Sequence, residues 1–145
     1  MIAPRRLALG FVAGFLGVPL GHQIMLTALY AVGFTAYAPW NFAPVPPLGV
    51  PTLVSQSFWG GVWGIVLGLV EPRLPRAPWA YWLCVALFGG IALTLVFVVA
   101  VLPVKGMPPT VDPPAVGLTM GVLVNAAWGV VTAFLLNRFD RSQKR

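Results

Sequence analysis

Residues 79–102 read WAYWLCVALFGGIALTLVFVVAVL and contain no Asp, Glu, Lys or Arg. A helix needs about 20 apolar residues to cross the hydrocarbon core of a bilayer, which is about 30 Å thick. This stretch is therefore long enough and apolar enough to form a transmembrane helix. A strand of a membrane barrel would instead alternate polar and apolar residues over about 10 positions, and this stretch is apolar throughout.

Two further stretches of the chain carry no charged residue, 7–70 and 113–137. A proline-rich segment that ends at Pro51 divides the first of them into two parts. The apolar pattern thus predicts four helices, at roughly 7–31, 52–70, 79–102 and 115–137. We expect an all-α integral membrane protein, a four-helix transmembrane bundle that forms one domain over residues 1–145.

The overall composition excludes several other classes of protein. Hydrophobic residues make up 59% of the chain and charged residues 8%, with a mean hydropathy of +0.88. A soluble domain has about 25% charged residues, so a soluble globular enzyme and a disordered chain are both excluded. Cys84 is the one cysteine, which excludes a domain held together by internal disulfides.

Basic residues are concentrated on one side of the predicted bundle. Eight of the nine lie there: Arg5, Arg6, Arg73, Arg76, Arg138, Arg141, Lys144 and Arg145. The positive-inside rule then predicts that both termini and the 71–78 connection are cytoplasmic. Arginine outnumbers lysine seven to two, and Ala, Gly, Pro and Val are abundant, a composition that suggests a bacterium of high GC content and hence a bacterial inner membrane. We expect no nucleic-acid binding, because the basic residues are not interleaved with aromatic residues on one folded face.

A short internal repeat relates the second and fourth predicted helices. Residues 62–66 read VWGIV and residues 127–131 read AWGVV, an offset of 65 positions that also aligns Arg73 with Arg138. Two duplicated helical hairpins would produce this pattern. Chance similarity in a chain rich in Gly and Trp is the alternative.

Glycines recur at intervals of four residues along the same two helices. The predicted packing positions are Gly60, Gly64, Gly68, Gly117, Gly121 and Gly129. Small residues let transmembrane helices approach closely, which replaces the hydrophobic driving force that lipid does not provide. We interpret these stripes as packing surfaces within the bundle, with a surface for another subunit as the alternative.

A few strongly polar residues fall in the outer half of the predicted helices. His22, Gln23, Gln56 and Asn125 are placed at overlapping heights and form a predicted intramembrane polar layer. The simpler explanation of these residues is hydrogen bonding between helices. The functional alternative is a solute path or a quinone site. One histidine with Met25 nearby is too small a set to predict a metal site or a cofactor.

The predicted outer loop 32–51 contains five prolines and no charged residue. Proline fixes φ and removes N–H donors, so we expect a stiff, non-helical connector. Trp40 and Phe42 give this loop an apolar surface. It would serve either as an aromatic anchor among lipid head groups or as a docking surface for another protein.

The sequence contains no recognisable catalytic set, since it has one histidine and no acidic residue inside a predicted helix. We therefore expect a non-catalytic accessory or structural subunit that packs against a larger inner-membrane complex, respiratory or photosynthetic. One alternative is a homo-oligomeric channel or carrier whose path is lined by the polar layer. A weaker alternative is a metal- or quinone-handling helper. The expected partners are the bilayer and either other membrane subunits or further copies of this chain.

In outline the chain is similar to small four-helix proteins of bacterial inner membranes.

Overall fold

The computed structural model describes residues 4–142, with side chains as far as Asp140. Four long helices make up most of the fold: Pro4–Ala31 (α1), Thr52–Val70 (α2), Pro78–Val104 (α3) and Pro114–Ser142 (α4). All four are long and apolar enough to cross a membrane. The prediction of an all-α, four-helix membrane protein is confirmed. The helix α4 continues past the predicted end at 137, because Arg138 ends the apolar run without interrupting helical hydrogen bonding.

Two of the helices contain widened turns with π-helical geometry. In α1 the widened turn is Val18–His22 and includes Pro19. Proline has no N–H to donate and its ring clashes with the preceding turn, so the backbone locally adopts a wider hydrogen-bonding pattern. In α3 the widened turns are Phe88–Leu93 and Phe97–Val101.

The helices α1 and α3 are each followed by a glycine whose backbone has a positive, left-handed φ. Gly33 follows α1 with φ of +72°, and Gly106 follows α3 with φ of +73°. In each case the next residue donates its N–H back to a carbonyl five positions earlier, Phe34 to Leu29 at 2.9 Å in α1. This glycine-dependent closure satisfies carbonyl groups that would otherwise have no partner at a helix end.

The loop between α1 and α2 contains the one short β-ladder in the described residues. Strands Pro44–Val45 (β1) and Val50–Pro51 (β2) pair antiparallel, with Val45 opposite Val50. Gly49 has φ of +66° at the turn between them. After β2, the N–H of Thr52 donates to the carbonyl of Ala43 at 2.9 Å as α2 begins. The connector is therefore non-helical and closely hydrogen-bonded.

The helices α1 and α2 cross at glycines on both sides of the contact. A Cβ on Gly10 would lie 2.7 Å from the carbonyl oxygen of Gly64, and one on Gly60 would lie 2.7 Å from that of Gly14. Real Cβ atoms do not approach a carbonyl oxygen this closely. The two backbones are thus in direct contact, as small-residue packing allows in membranes.

Trp128 of α4 fills the space where α1, α2 and α4 meet. Its side chain is 1% exposed, and its indole N–H donates to the carbonyl oxygen of Gly14 at 2.9 Å. On its other side α4 packs against α3, where a Cβ on Gly129 would lie 2.8 Å from the carbonyl oxygen of Val85. Gly129 thus contacts the helix that precedes it, as Gly64 does 65 positions earlier.

The antiparallel arrangement places the start of α1 and the end of α4 at the same end of the bundle. We call this end, which also carries the 71–77 connection, the basic end. The opposite end, with the 32–51 and 105–113 connections, is the loop end. The prediction that both termini are cytoplasmic also rests on Arg141, Lys144 and Arg145. Lys144, Arg145 and the side chain of Arg141 lie outside the described part of the chain.

Candidate functional site

A buried glutamine joins α1, α2 and the loop at the loop end of the bundle. Gln23 is 2% exposed, and its side-chain amide Nε2 donates to Oε1 of Gln56 at 2.9 Å. The Oε1 atom of Gln23 accepts the backbone N–H of Trp40 at 2.9 Å. One side chain therefore satisfies both of its polar atoms by contacts with two separate parts of the chain.

Trp40 fixes the loop to α1 through a second contact. Its indole N–H donates to Oγ1 of Thr27 at 3.0 Å, and the Thr27 hydroxyl donates to the carbonyl of Gln23 at 2.7 Å. Trp40 has φ of +57°, a left-handed conformation that is rare for a large side chain. The two hydrogen bonds compensate for this conformation and hold the loop against the end of α1.

The predicted polar layer is divided into separate contacts. Asn125 of α4 donates through Nδ2 to Oγ1 of Thr94 in α3 at 3.1 Å, whereas Gln23 and Gln56 join α1 to α2. The Nδ1 atom of His22 is buried and has no hydrogen-bond partner within the described part of the chain. Each hairpin thus has its own hydrogen bond, and His22 is part of neither.

The 32–51 loop directs several apolar side chains outward. Phe42 is 62% exposed and Leu48 is 82% exposed. Trp40, by contrast, is held by both of its nitrogen atoms and is 40% exposed. Of the two predicted docking residues, Trp40 fixes the loop and Phe42 presents the apolar surface.

A network of polar side chains centred on one arginine joins all four helices at the basic end. Arg6 of α1 pairs with Glu71, which directly follows α2, and with Asp140 of α4 at 2.8 Å. Its Nε also donates to the carbonyl oxygen of Gly68 at 2.9 Å. Tyr81 of α3 completes the network, because its hydroxyl donates to the Glu71 carboxylate at 3.2 Å.

Asn137 of α4 closes this network by donating to the Tyr81 hydroxyl oxygen at 2.6 Å. Sequence reasoning did not identify these residues as a group. The signal that could have found them is that Glu71 and Asp140 are two of three acidic residues in the chain, both at the ends of predicted spans. A carboxylate at that depth needs a cationic partner, and Arg6 is the basic residue at the start of the first span.

The predicted packing glycines differ in which part of the chain they contact and in how close the contact is. Gly60 and Gly64 face α1, and Gly129 faces α3. A Cβ on Gly121 would meet the Thr94 side chain at 3.0 Å, and one on Gly117 would meet Val111 at 2.7 Å. Gly68 is less tightly packed, since the nearest atom to an added Cβ is 3.7 Å away.

A shallow apolar groove of about 530 Å³ runs between α1 and α4. Leu20, Gly21, Ile24, Met25 and Ala28 line it from α1, and Leu123, Ala126, Ala127, Val130 and Val131 line it from α4. None of these residues is a typical hydrogen-bonding or charged group, so the groove suits hydrocarbon rather than a polar solute. Residues 4–142 contain no group of three or more His, Cys, Asp or Glu that could hold a metal ion.

No family model, curated protein or solved structure matches this chain.

Proposed function

We propose that the protein is a non-catalytic structural subunit that packs against a larger membrane assembly through its 32–51 loop. The orientation proposed from the basic residues places this loop on the outer side of a bacterial inner membrane, with both termini in the cytoplasm. The observation that carries the proposal is a loop without charged residues, hydrogen-bonded to α1, that leaves Phe42 and Leu48 exposed.

A fixed apolar loop suits protein association better than a mobile one. Because Trp40 is already hydrogen-bonded to Gln23 and Thr27, little conformational entropy remains to be lost when a partner binds. Aromatic residues contribute much of the binding energy in protein interfaces, and Phe42 offers most of its ring. The loop could also anchor in the head-group region, and the experiment below separates the two roles.

The contacts inside the bundle give less support to a channel or carrier. Gln23, Gln56 and Asn125 use their side chains for hydrogen bonds between helices. Large side chains, including Trp128, Leu67 and Leu136, are fully buried in the bundle. A path for a polar solute would need these hydrogen bonds or this packing to change.

Native extraction tests the proposal directly. Membranes from the source organism are solubilised in a mild detergent, and the particle that contains this chain is sized by native electrophoresis and its proteins identified by mass spectrometry. The variant Phe42→Ala, Leu48→Ala removes the exposed apolar side chains of the loop. Phe134→Ala is the matched control, because Phe134 is 57% exposed on α4 and away from the loop.

We expect the wild-type chain and Phe134→Ala to migrate in one large particle with a constant set of other proteins. The loop variant should insert in the membrane normally and migrate as a free, smaller species. A homogeneous particle that contains this chain alone would contradict the proposal. Equal retention of the loop variant in a large particle would overturn the loop as the docking surface.

A further inference from the structure

The Arg6 network determines which charges remain available at the basic end. Arg6 pairs with both Glu71 and Asp140, and these are the two acidic residues at this end in the described part of the chain. No other arginine between residues 4 and 140 forms an ion pair. One arginine therefore pairs with both carboxylates, and the other described arginines at this end have no acidic partner among residues 4–140.

The same contacts gather these arginines around the network. Arg5 adjoins Arg6, Arg138 adjoins Asn137 in the network, and Arg73 follows Glu71 by two positions. Arg76 lies in the same short connection, and all four of these arginines are exposed. The Arg73 side chain is exposed and donates one hydrogen bond, to the carbonyl oxygen of Leu69 at 2.8 Å. The loop end, by contrast, has Lys105 and Asp112, which balance.

We infer that the basic end binds anionic phospholipids through Arg5, Arg73, Arg76 and Arg138. Guanidinium groups donate paired hydrogen bonds to phosphate oxygens, and each basic residue beside an anionic membrane surface contributes about 1 kcal/mol. Trp79, which is 75% exposed at the start of α3, suits the same depth, because tryptophan side chains concentrate among lipid head groups. This inference does not depend on the proposed docking loop.

Lipid binding to the purified full-length protein tests the inference. The protein in a nonionic detergent is equilibrated with micelles that contain phosphatidylglycerol or phosphatidylcholine, and bound lipid is counted by native mass spectrometry. The test variant is Arg73→Gln, Arg76→Gln, and the matched control is Lys105→Gln at the loop end. Measurements at low salt and at about 1 M salt, where the Debye length is about 3 Å, report the electrostatic part.

We expect the wild type to prefer phosphatidylglycerol, and the preference to fall about 5-fold for each arginine removed, or about 30-fold for the double variant. Lys105→Gln should keep the preference, and high salt should abolish it. Equal binding of the two lipids by the wild type would overturn the inference, as would an undiminished preference in the double variant. If that variant does not fold, a wild-type preference that is unchanged at high salt would overturn it as well.

Discussion

The Nη1 atom of Arg6 lies 2.8 Å from the Oδ2 atom of Asp140, which joins the first turn of α1 directly to the last turns of α4. The same guanidinium also pairs with Glu71 after α2. These side chains are 15–28% exposed, so water screens their attraction only in part. The ends of three helices are thus held together by one cation.

Replacing Arg6 with Gln should destabilise the protein by about 1–3 kcal/mol, because it leaves two partly buried carboxylates without a cation. The measurement is thermal unfolding in detergent, followed by far-UV circular dichroism. Arg5→Gln is the control, since Arg5 is exposed and unpaired, and we expect a change within about 0.5 kcal/mol. Equal unfolding temperatures for the two variants would show that the network does not stabilise the bundle.

The glycine crossing between α1 and α2 allows a matched pair of substitutions. Gly64→Ala should cost about 1–3 kcal/mol, because the new Cβ would lie 2.8 Å from the Cα of Gly14 and overpack the contact. Gly68→Ala, where the nearest atom is 3.7 Å away, should be neutral or stabilise the helix by about 0.5–1 kcal/mol. Unfolding temperatures of both variants decide this, and a more stable Gly64→Ala would contradict the close crossing.

Two buried threonines in α3 and α4 should respond in opposite directions to removal of the hydroxyl. The Thr132 hydroxyl is buried without a partner, so Thr132→Val should stabilise the protein by about 1 kcal/mol. The Thr94 hydroxyl accepts a hydrogen bond from Asn125, so Thr94→Val should destabilise it by about 0.5–1.5 kcal/mol. Thermal unfolding of both variants side by side is the measurement. A loss of stability in Thr132→Val would indicate a hydrogen bond that this structure lacks.

Loss of the Gln23 side chain should release the loop. In Gln23→Leu the Trp40 backbone N–H loses its acceptor, so hydrogen exchange at Trp40 should accelerate by about 10-fold, the equivalent of one hydrogen bond of about 1.4 kcal/mol. Asn125→Leu is the control, because it removes a similar interhelical hydrogen bond between α3 and α4 and leaves the loop contacts in place. Equal exchange rates in both variants would show that Gln23 does not hold the loop.

The four helices could be predicted because charge-free stretches of sufficient length have one stable solution in a bilayer. Only a helix satisfies its backbone hydrogen bonds within a single span, so the apolar sequence of residues 79–102 is sufficient to predict a helix. The boundaries of α2 agree with the prediction of 52–70. The apolar run predicts that α4 ends at 137, whereas the helix continues to Ser142, because charged residues are accepted in a helix that extends beyond the apolar layer.

The pairing of polar side chains could not be predicted from the sequence, because it depends on how each helix is rotated about its axis. Gln56 and Asn125 were both placed near Gln23 in height, yet Gln56 contacts it and Asn125 contacts Thr94. The sequence predicts Trp40 as part of an apolar loop surface, and the structure leaves it 40% exposed. The two hydrogen bonds that its N–H groups make to α1 could not be predicted. An assignment of partners needed the three-dimensional arrangement.

The order in which the helices leave the ribosome gives the glycine crossing a further consequence. The contact of Gly10 and Gly14 with Gly60 and Gly64 lies entirely within the first half of the chain, so the first hairpin can assemble before the second is synthesised. The helix α4 emerges last and contacts both α1 and α3. Its insertion therefore joins the second hairpin to the first, through contacts that include the Trp128 hydrogen bond to Gly14 and the Arg6–Asp140 ion pair.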